Sequence, residues 1–269
     1  MNNLMFHSKQ LPVLMVLLGF SLFANAEDFT DVNFIVRFAN LASYYAGDDG
    51  QAKVRMTIVD KNGNKQRRQF NMVRKDVNEG GDQNFLIKFT KPADVRDTVF
   101  MVAKHIGKDD DRWLYLPSID LVKRIAAGDK RTSFIGSHFF YEDVSGRGLD
   151  EDEHKLIDTT DKEYIVENTP KQPESVEFAS YKLWIDKVTF IPNKIEYYNK
   201  VGKLYRSVET VKLENIQGFQ TVVRSKISDI QTGGYTLMEF KGVKYNAGVP
   251  ADIFTERSLR NPPRKWLGK

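Results

Sequence analysis

Short strand patterns separated by turn residues run through most of this chain, and they constrain its fold more than any other feature. In the first hairpin, Val54, Met56 and Ile58 alternate with polar residues ahead of Asn62-Gly63, which is typical of a type I′ turn. We count about eleven such strands, with no βαβ alternation and no internal repeat. A twisted sheet of this length has to curl. The sequence therefore predicts a mainly β protein: one curved antiparallel sheet or partial barrel, with short helices over its concave face.

Helical patterns flank the strands. Asp28 to Ala46 has apolar residues at helical spacing, with Asp28 or Thr30 as the N-cap, and Pro250 to Arg257 predicts a last short helix. Between the two groups of strands, Arg112–Val144 begins as a strand and continues through a basic helical turn and a bend to a short aromatic segment. We expect this segment to cover one face of the sheet, and Glu151-Asp152-Glu153 beyond it to form an exposed acidic loop.

The first 26 residues have the pattern of a secretory signal. Lys9 precedes an apolar run from Leu11 to Phe23, and Ala24-Asn25-Ala26 supplies a small-x-small cleavage site. The run is short for a membrane span, which needs about 20 residues. We therefore predict cleavage after Ala26, export to the periplasm and a single domain over residues 27–269 that does not span the membrane. An uncleaved membrane anchor is the alternative.

The chain contains no cysteine. This excludes disulfides, thiolate catalysis, cysteine-ligated metals and an acylated cysteine anchor. The formal charge is +4, and it becomes +3 once the leader and its single lysine are removed. Basic residues are scattered, with no aromatic-rich basic stripe, which argues against nucleic acid as a partner. The clusters at Lys65–Arg68 and Lys123-Arg124 are typical of solvated faces.

Metal-binding patterns are weak. His105, His138 and His154 do not pair at ligand spacing, and no H-E-x-x-H motif occurs. Asp109-Asp110-Asp111 lacks the glycine and glutamate positions of a calcium-binding EF-hand loop, so a solvated hairpin tip explains it better. We expect neither a metal nor a cofactor.

Catalytic patterns are weak as well. Ser137 and His138 are sequence neighbours and lack a G-x-S-x-G context. Glu142-Asp143 could act as an acid–base pair, although charge at a helix terminus explains it more simply. We expect no catalytic residues and no enzyme activity, and an esterase is the remotest of the alternatives.

Several short motifs match the pattern of one family. They are Arg112-Trp113-Leu114-Tyr115-Leu116-Pro117, Ser133-Phe134-Ile135-Gly136-Ser137, Tyr141-Glu142-Asp143, Leu183-Trp184-Ile185-Asp186, Ile191-Pro192 and Glu196-Tyr197-Tyr198. Together they resemble the LolA-like periplasmic family, in particular its branch of outer-membrane lipoprotein-sorting proteins. The pattern differs at His138, where an acidic residue is expected after Gly-Ser.

The resemblance implies an unclosed eleven-stranded barrel with a helical lid, for which Ser133 to Asp143 is the best candidate. It also implies an apolar cavity for the acyl chains of a lipid or lipoprotein carried between the inner and outer membranes. Members of this branch also resemble accessory proteins of resistance–nodulation–division-type lipid exporters. A subunit that docks on such an inner-membrane exporter, through a sheet edge or Lys123-Arg124, is therefore the alternative to a monomeric soluble carrier.

Aromatic and aliphatic residues supply the candidate cavity wall. The candidates on three successive strands are Phe85, Ile87, Phe89, Phe100, Val102, Trp113 and Tyr115, and those in the lid are Phe134, Phe139 and Phe140. Periodicity alone favours an ordinary core at these positions. The family resemblance favours a cavity.

Overall fold

The computed structural model describes residues 28–268, so the predicted leader and its cleavage site lie outside the described residues. These residues form thirteen strands, four α-helices and five short 3₁₀ turns. The strands are β1 (Asp49–Val59), β2 (Lys65–Asp76), β3 (Gln83–Lys91), β4 (Val99–Lys104), β5 (Asp111–Leu116), β6 (Leu121–Ile125), β7 (Asp152–Thr159), β8 (Glu163–Pro170), β9 (Phe178–Asp186), β10 (Pro192–Asn199), β11 (Leu204–Ile216), β12 (Phe219–Asp229) and β13 (Tyr235–Tyr245). The helices are α1 (Val32–Tyr44), α2 (Glu142–Ser145), α3 (Glu256–Arg260) and α4 (Arg264–Leu267).

All thirteen strands belong to one antiparallel sheet, in the order β6-β5-β4-β3-β2-β1-β13-β12-β11-β10-β9-β8-β7. Each half of the chain forms a meander, and the two meanders join where β1 pairs with β13. The edge strands β6 and β7 do not pair with each other, so the sheet is not closed into a barrel. The prediction of a mainly β, unclosed antiparallel sheet is confirmed, with thirteen strands in place of about eleven.

The two additional strands are β6 and β7. The sequence of β6 predicts a basic helical turn, because this strand is only five residues long and follows Pro117 closely. The prediction of an exposed acidic loop at the start of β7 is wrong. Asp152 is 2% exposed, and its carboxylate accepts two hydrogen bonds from Arg147. A buried partner, which the local sequence does not reveal, stabilises this acidic residue.

Helix α1 begins at Val32, four residues later than the start at Asp28 that the sequence pattern predicts. Its N-cap is Asp31, whose carboxylate accepts hydrogen bonds from the backbone N–H groups of Asn33 and Phe34. The predicted caps Asp28 and Thr30 lie outside the helix. One face of α1 packs through Ile35 and its neighbours against Tyr164, Val166 and Ile185 of β8 and β9.

Residues 126–151, here called the lid, connect β6 to β7 and so run from one free edge of the sheet to the other. The lid covers what we call the inner face, on which Val54, Met56, Phe70 and Phe100 lie.

The opposite, outer face of the first half is covered by α3 and α4, which pack on Val73, Leu86 and Met101. Helices therefore lie on both faces of the sheet, where the sequence predicted one. A further helix, α4, follows Asn261-Pro262-Pro263 and so lies beyond the last helix that the sequence predicts. Within residues 28–268, no helix has the length and apolar character needed to cross a membrane.

Candidate functional site: the cavity beneath the lid

A cavity of about 350 Å³ lies between the inner face, the C-terminal end of α1 and the lid. Its volume is within the range of small-molecule binding sites. The sheet contributes apolar side chains from both halves of the chain: Phe70, Met72, Phe85, Ile87, Val208, Ile227, Met238 and Phe240. At the middle of the sheet, β1 contributes Gly50, Gln51 and Ala52, of which Gly50 and Ala52 are the small ones. Because these two residues are small, space remains between larger neighbours on either side.

A second depression adjoins the cavity at the end of α1. It is lined by Leu41, Tyr45, Val188 and Phe219, among others, and it shares Ala42, Ala46 and Gln220 with the cavity. Val188, at the tip of the β9–β10 hairpin, is 88% exposed. The depression is therefore the candidate entrance.

Four of the predicted residues lie in the cavity wall. Phe85 and Ile87 come from β3, and Phe134 and Phe139 come from the lid. Alternation along β3 places the first two on the inner face, and the lid places the other two opposite them. The sheet and the lid therefore both contribute aromatic side chains to one apolar space.

Phe89, Phe100 and Val102 lie on the same inner face but outside the cavity wall. All three are fully buried. The ring of Phe134 lies 5.7 Å from that of Phe89 and 5.4 Å from that of Phe100, between centroids. These residues form the core beneath the lid, because the lid fills this part of the inner face with its own ring.

Trp113 and Tyr115 lie on the outer face, which differs from the sequence-based assignment. The register pairs Trp113 with Met101 and Leu114 with Phe100, so Leu114 is the residue of β5 that faces inward. Trp113 and Tyr115 pack with α3 and α4. Strand β5 has large apolar residues on both faces, and its sequence therefore does not reveal which face is covered by the lid.

Phe140 lies outside the cavity wall and is stacked between two arginines. Its ring centroid is 5.1 Å from the guanidinium carbon of Arg131 and 4.4 Å from that of Arg206. Neighbouring residues of an extended segment point in opposite directions. Phe139 points toward the cavity, and Phe140 consequently points away from it.

The apolar end of the lid is a small hairpin closed by a bridge between Ser133 and Phe140. The Ser137 hydroxyl donates to the carbonyl of Phe134 at 2.8 Å and is buried. Ile135 and Gly136 both have positive φ, which forms the tight turn between them. Ser137 therefore holds the hairpin together and is not placed as a nucleophile.

The other end of the lid is held by buried ion pairs. Glu142 is 2% exposed and pairs with Arg131, with Arg147 at 3.4 Å and with Lys130 at 3.5 Å. Burial opposes ionisation of Glu142, but the three cations outweigh it and hold the pKa of this carboxyl below its ordinary value.

The same ion pairs extend to strands of the second half. Arg131 donates three hydrogen bonds to Glu177, and Arg206 of β11 pairs with Asp143 of the lid. The Arg131 guanidinium also lies over the rings of Phe178 and Tyr197. We call this set the ionic cluster: Lys130, Arg131, Glu142, Asp143, Arg147, Asp152, Glu177 and Arg206. Of these residues, the sequence singles out only Glu142 and Asp143 as functional candidates. It wrongly predicts an exposed loop for Asp152, and the others resemble isolated surface charges.

The three histidines within residues 28–268 make structural contacts. His138 Nδ1 lies 2.8 Å from Thr236 Oγ1, and burial lowers the pKa of this imidazole. His105 lies between two aspartates, and His154 contacts Asn168 Oδ1 at 2.6 Å. Among residues 28–268, no group of three or more histidine, aspartate and glutamate side chains has an arrangement suited to a metal ion.

Lys104 lies beside the last turn of the lid. Its ammonium donates to the carbonyl of Ser145 at 2.8 Å and lies over the rings of Tyr44 and Tyr45. Burial lowers the pKa of Lys104 to about 8. Asp110 nearby opposes this shift but does not cancel it.

A family model described only as "Uncharacterized protein" matches residues 81–261. No curated protein matches the sequence. A DUF1329 family protein from Desulfovibrio piger is similar in structure, with a TM-score of 0.77 and 28% identity over 85% of this chain and 97% of that one.

Two further solved structures are similar. A putative outer membrane lipoprotein-sorting protein domain from Vibrio parahaemolyticus has a TM-score of 0.76 and 24% identity, over 84% of this chain and 97% of that one. A LolA superfamily protein from Nitrosomonas europaea has a TM-score of 0.65 and 20% identity, over 84% and 98%.

Proposed function

Since the chain belongs to the family whose model matches residues 81–261 and has the fold of the LolA-like proteins, we propose that it is a periplasmic carrier of acyl chains. It holds the acyl part of a lipid or lipoprotein in the cavity beneath the lid, for transfer between the inner and outer membranes. The observation that supports this proposal most directly is an apolar cavity between a sheet and a lid that is anchored to both halves of that sheet. Within it, Phe85, Ile87, Phe134 and Phe139 contact the acyl chain.

A carrier has to release its acyl chain, so the lid has to limit the net affinity of the cavity for that chain. Each buried methylene gains about 0.8 kcal/mol, so a chain of about 12 carbons gains roughly 10 kcal/mol before costs. Release from a closed apolar cavity would be slow at that affinity. Phe134 and Phe139 line the cavity and also pack against the inner face, so a long acyl chain has to compete with them for contacts with the sheet. This competition lowers the net affinity and makes transfer to an acceptor feasible.

The alternative of a subunit docked on a lipid exporter depended partly on the basic turn at Lys123-Arg124. Both residues lie in edge strand β6, and Arg124 pairs with Asp111 of the neighbouring strand. An ion pair within the fold is thus a sufficient explanation for Arg124. No other contact among the described residues favours this alternative, and we do not propose it.

The proposal is tested by lipid content and by titration. Protein purified from the periplasm should release lipid at stoichiometric level into an organic extract, detected by mass spectrometry. A fluorescent fatty acid should bind the delipidated protein. Ala52→Phe, which places a ring in the space at the middle of the cavity, should weaken this binding at least tenfold.

Thr57→Phe is the matched control, because it adds the same ring to the same strand on the outer face. It should leave fatty-acid binding unchanged. An extract without lipid, together with no saturable binding of the fatty acid, would contradict the proposal. Equal loss in the two variants would place the binding site outside the cavity.

A further inference from the structure

The outer face of the central strands collects basic residues that are far apart in the sequence. The register places residues 65–71 of β2, 53–59 of β1, 235–241 of β13 and 224–228 of β12 side by side. Seven cations point outward from this area: Lys53, Arg55, Lys65, Arg67, Arg224, Lys226 and Lys241. Glu239 is the single carboxylate among the outward residues of these four spans. We call this area the basic face.

Glu239 neutralises only part of the basic face. Its carboxylate pairs with Arg55 at 2.6 Å and with Arg224 at 2.7 Å. For the other five cations, residues 28–268 provide no carboxylate within 4.0 Å. The whole chain is nearly balanced, with 40 basic and 36 acidic residues, so the excess on this face is a segregation of charge.

One cross-strand pair of lysines within the basic face does not stabilise the fold. Lys53 of β1 and Lys241 of β13 are directly opposite each other in the register. Like charges at such a position destabilise an antiparallel pair. Both side chains are exposed, and no contact within the described residues compensates for their repulsion. An anionic binding partner, which would favour positive charge on this face, explains the pair better.

We propose that the basic face docks on the surface of an anionic lipid bilayer. The cations are distributed over four strands, about 14 Å across at the usual strand spacing. This is comparable to the Debye length of about 8–10 Å in physiological salt, so neighbouring cations act together on an extended charged surface. Lysine and arginine side chains near an anionic leaflet each strengthen binding about fivefold.

An acidic peptide fits the basic face less well. All four strands lie in the interior of the sheet, so their backbone hydrogen bonds are used by neighbouring strands. A peptide therefore cannot add as a further strand and would gain only side-chain contacts. Neither the cavity nor the depression beside it opens on this face, and compact protein epitopes usually depend on a pocket that receives a large anchor residue.

The test uses sedimentation of purified protein with vesicles. Wild type should bind vesicles that contain phosphatidylglycerol, should not bind pure phosphatidylcholine vesicles, and should be released by high salt. The triple variant Lys53→Gln, Arg67→Gln, Lys241→Gln should bind the anionic vesicles roughly a hundredfold more weakly. Its melting temperature should equal or exceed that of wild type, because the Lys53–Lys241 repulsion is removed.

Lys123→Gln, Lys162→Gln, Lys203→Gln is the matched control. These lysines are exposed, and the change in net charge is the same, but they lie at an edge strand and at two turns. The control should bind like wild type. Equal weakening in the two triple variants, or no binding of wild type to anionic vesicles, would overturn the proposal. If wild type is retained on a polyglutamate column but does not bind vesicles, the bilayer proposal is overturned and an acidic polypeptide is the partner of the basic face.

Docking through the basic face is independent of the cavity, which lies on the other face of the sheet. Ala52→Phe should therefore bind anionic vesicles like wild type while it loses fatty-acid binding. Loss of both activities together would show that attachment proceeds through the cavity, and it would overturn the basic face as the docking site. Vesicle binding by a protein that binds no fatty acid would leave the docking proposal standing and contradict only the carrier proposal.

Discussion

The two ends of the lid are fixed to the sheet by different kinds of contact. Toward the first half of the chain, Phe134 enters an apolar core and touches the rings of Phe70, Phe89 and Phe100. Toward the second half, the ionic cluster joins the lid to strands β7 and β11 through Arg147–Asp152 and Asp143–Arg206. Apolar contacts are non-directional, and an acyl chain can replace them. Buried ion pairs have no such substitute, since a separated charge stays buried without a partner.

This difference suggests which end moves. A ligand that enters the cavity offers the first-half strands the same kind of contact that Phe134 now provides. It offers nothing to Glu142 or Arg131. We therefore expect the apolar end to yield to ligand while the ionic end stays closed. The predictions below test that expectation, beginning with the largest expected effect.

The strongest test of the ionic end is Glu142→Gln. It removes the charge that pairs with Arg131, Arg147 and Lys130, and we expect the free energy of unfolding to fall by about 4 kcal/mol. Urea denaturation measures the change. Glu214→Gln breaks an exposed pair with Lys212 and should change stability by less than about 1 kcal/mol. Similar effects of the two substitutions would mean that the ionic cluster contributes no more than a surface pair.

The pH dependence of stability in acid provides a second test of Glu142. The folded-state pKa of Glu142 lies below its ordinary value of 4.5. Its stabilising contribution is therefore fully present above the ordinary pKa and is lost as the pH falls through the lowered one. The difference in stability between wild type and Glu142→Gln should accordingly shrink in acid. A difference that stays constant from neutral pH into strong acid would exclude an ionised Glu142 as its cause.

The apolar end is tested by Phe134→Ala. We expect a loss of about 3 kcal/mol in the free energy of unfolding, because a fully buried ring is removed. The space that it leaves joins the cavity, so the affinity for a long-chain fatty acid should rise relative to a short-chain one. The double variant with Glu142→Gln should be additive within about 0.5 kcal/mol if the two ends are independent. A larger coupling energy would show that the lid moves as one piece.

Substitution of Lys104 tests whether the buried charges at the ionic end include the ammonium that donates to Ser145 of the lid. Its pKa is about 8 in the folded protein against an ordinary 10.5, so its charge destabilises the fold at neutral pH. Between these two values the unfolded chain binds more protons than the folded one, and stability therefore rises with pH.

Relative to Lys104→Met, wild type should gain on the order of 1–3 kcal/mol between about pH 7 and about pH 10. Denaturation at both pH values gives the measurement. No relative gain would mean that water reaches the Lys104 ammonium, in conflict with the 3% exposure of this residue.

The smallest expected effect is that of Trp113→Ala. Trp113 is partly buried beside α3 and α4 on the outer face, so we expect a loss of about 1–2 kcal/mol in stability. Fatty-acid binding should not change. Leu114→Ala, one residue away on the inner face, is the comparison and should be more destabilising because Leu114 is 6% exposed. Loss of fatty-acid binding in Trp113→Ala alone would reverse the assignment of the two faces.

Much of this architecture could be predicted because it depends on local patterns. Alternation and turn residues located eleven of the strands, and the Ser133–Asp143 motif located the apolar end of the lid. The face of β5 could not be predicted, since Trp113, Leu114 and Tyr115 are all apolar and only the register separates them. For the same reason, Trp113 and Tyr115 were placed with the cavity residues.

The ionic end could not be predicted from local patterns. Arg131, Glu142 and Arg147 meet only through the fold of the lid, and Arg206 joins them only because the lid crosses the sheet at β11. Each of them, taken alone, resembles a surface charge. The basic face has the same origin, because Lys53 and Lys241 are 188 positions apart and become neighbours only through the pairing of β1 with β13.

That central pairing also determines the order in which the chain can fold. Every other pair of neighbouring strands is consecutive in the sequence, so each meander can form from short-range contacts. Strand β1 is complete near residue 59, yet its second partner begins only at Tyr235. Until then β1 is an exposed edge with Val54, Met56 and Ile58 uncovered, a state that favours aggregation. We therefore expect the joining of β1 to β13 to limit the rate of folding, since contacts of long sequence separation form slowly.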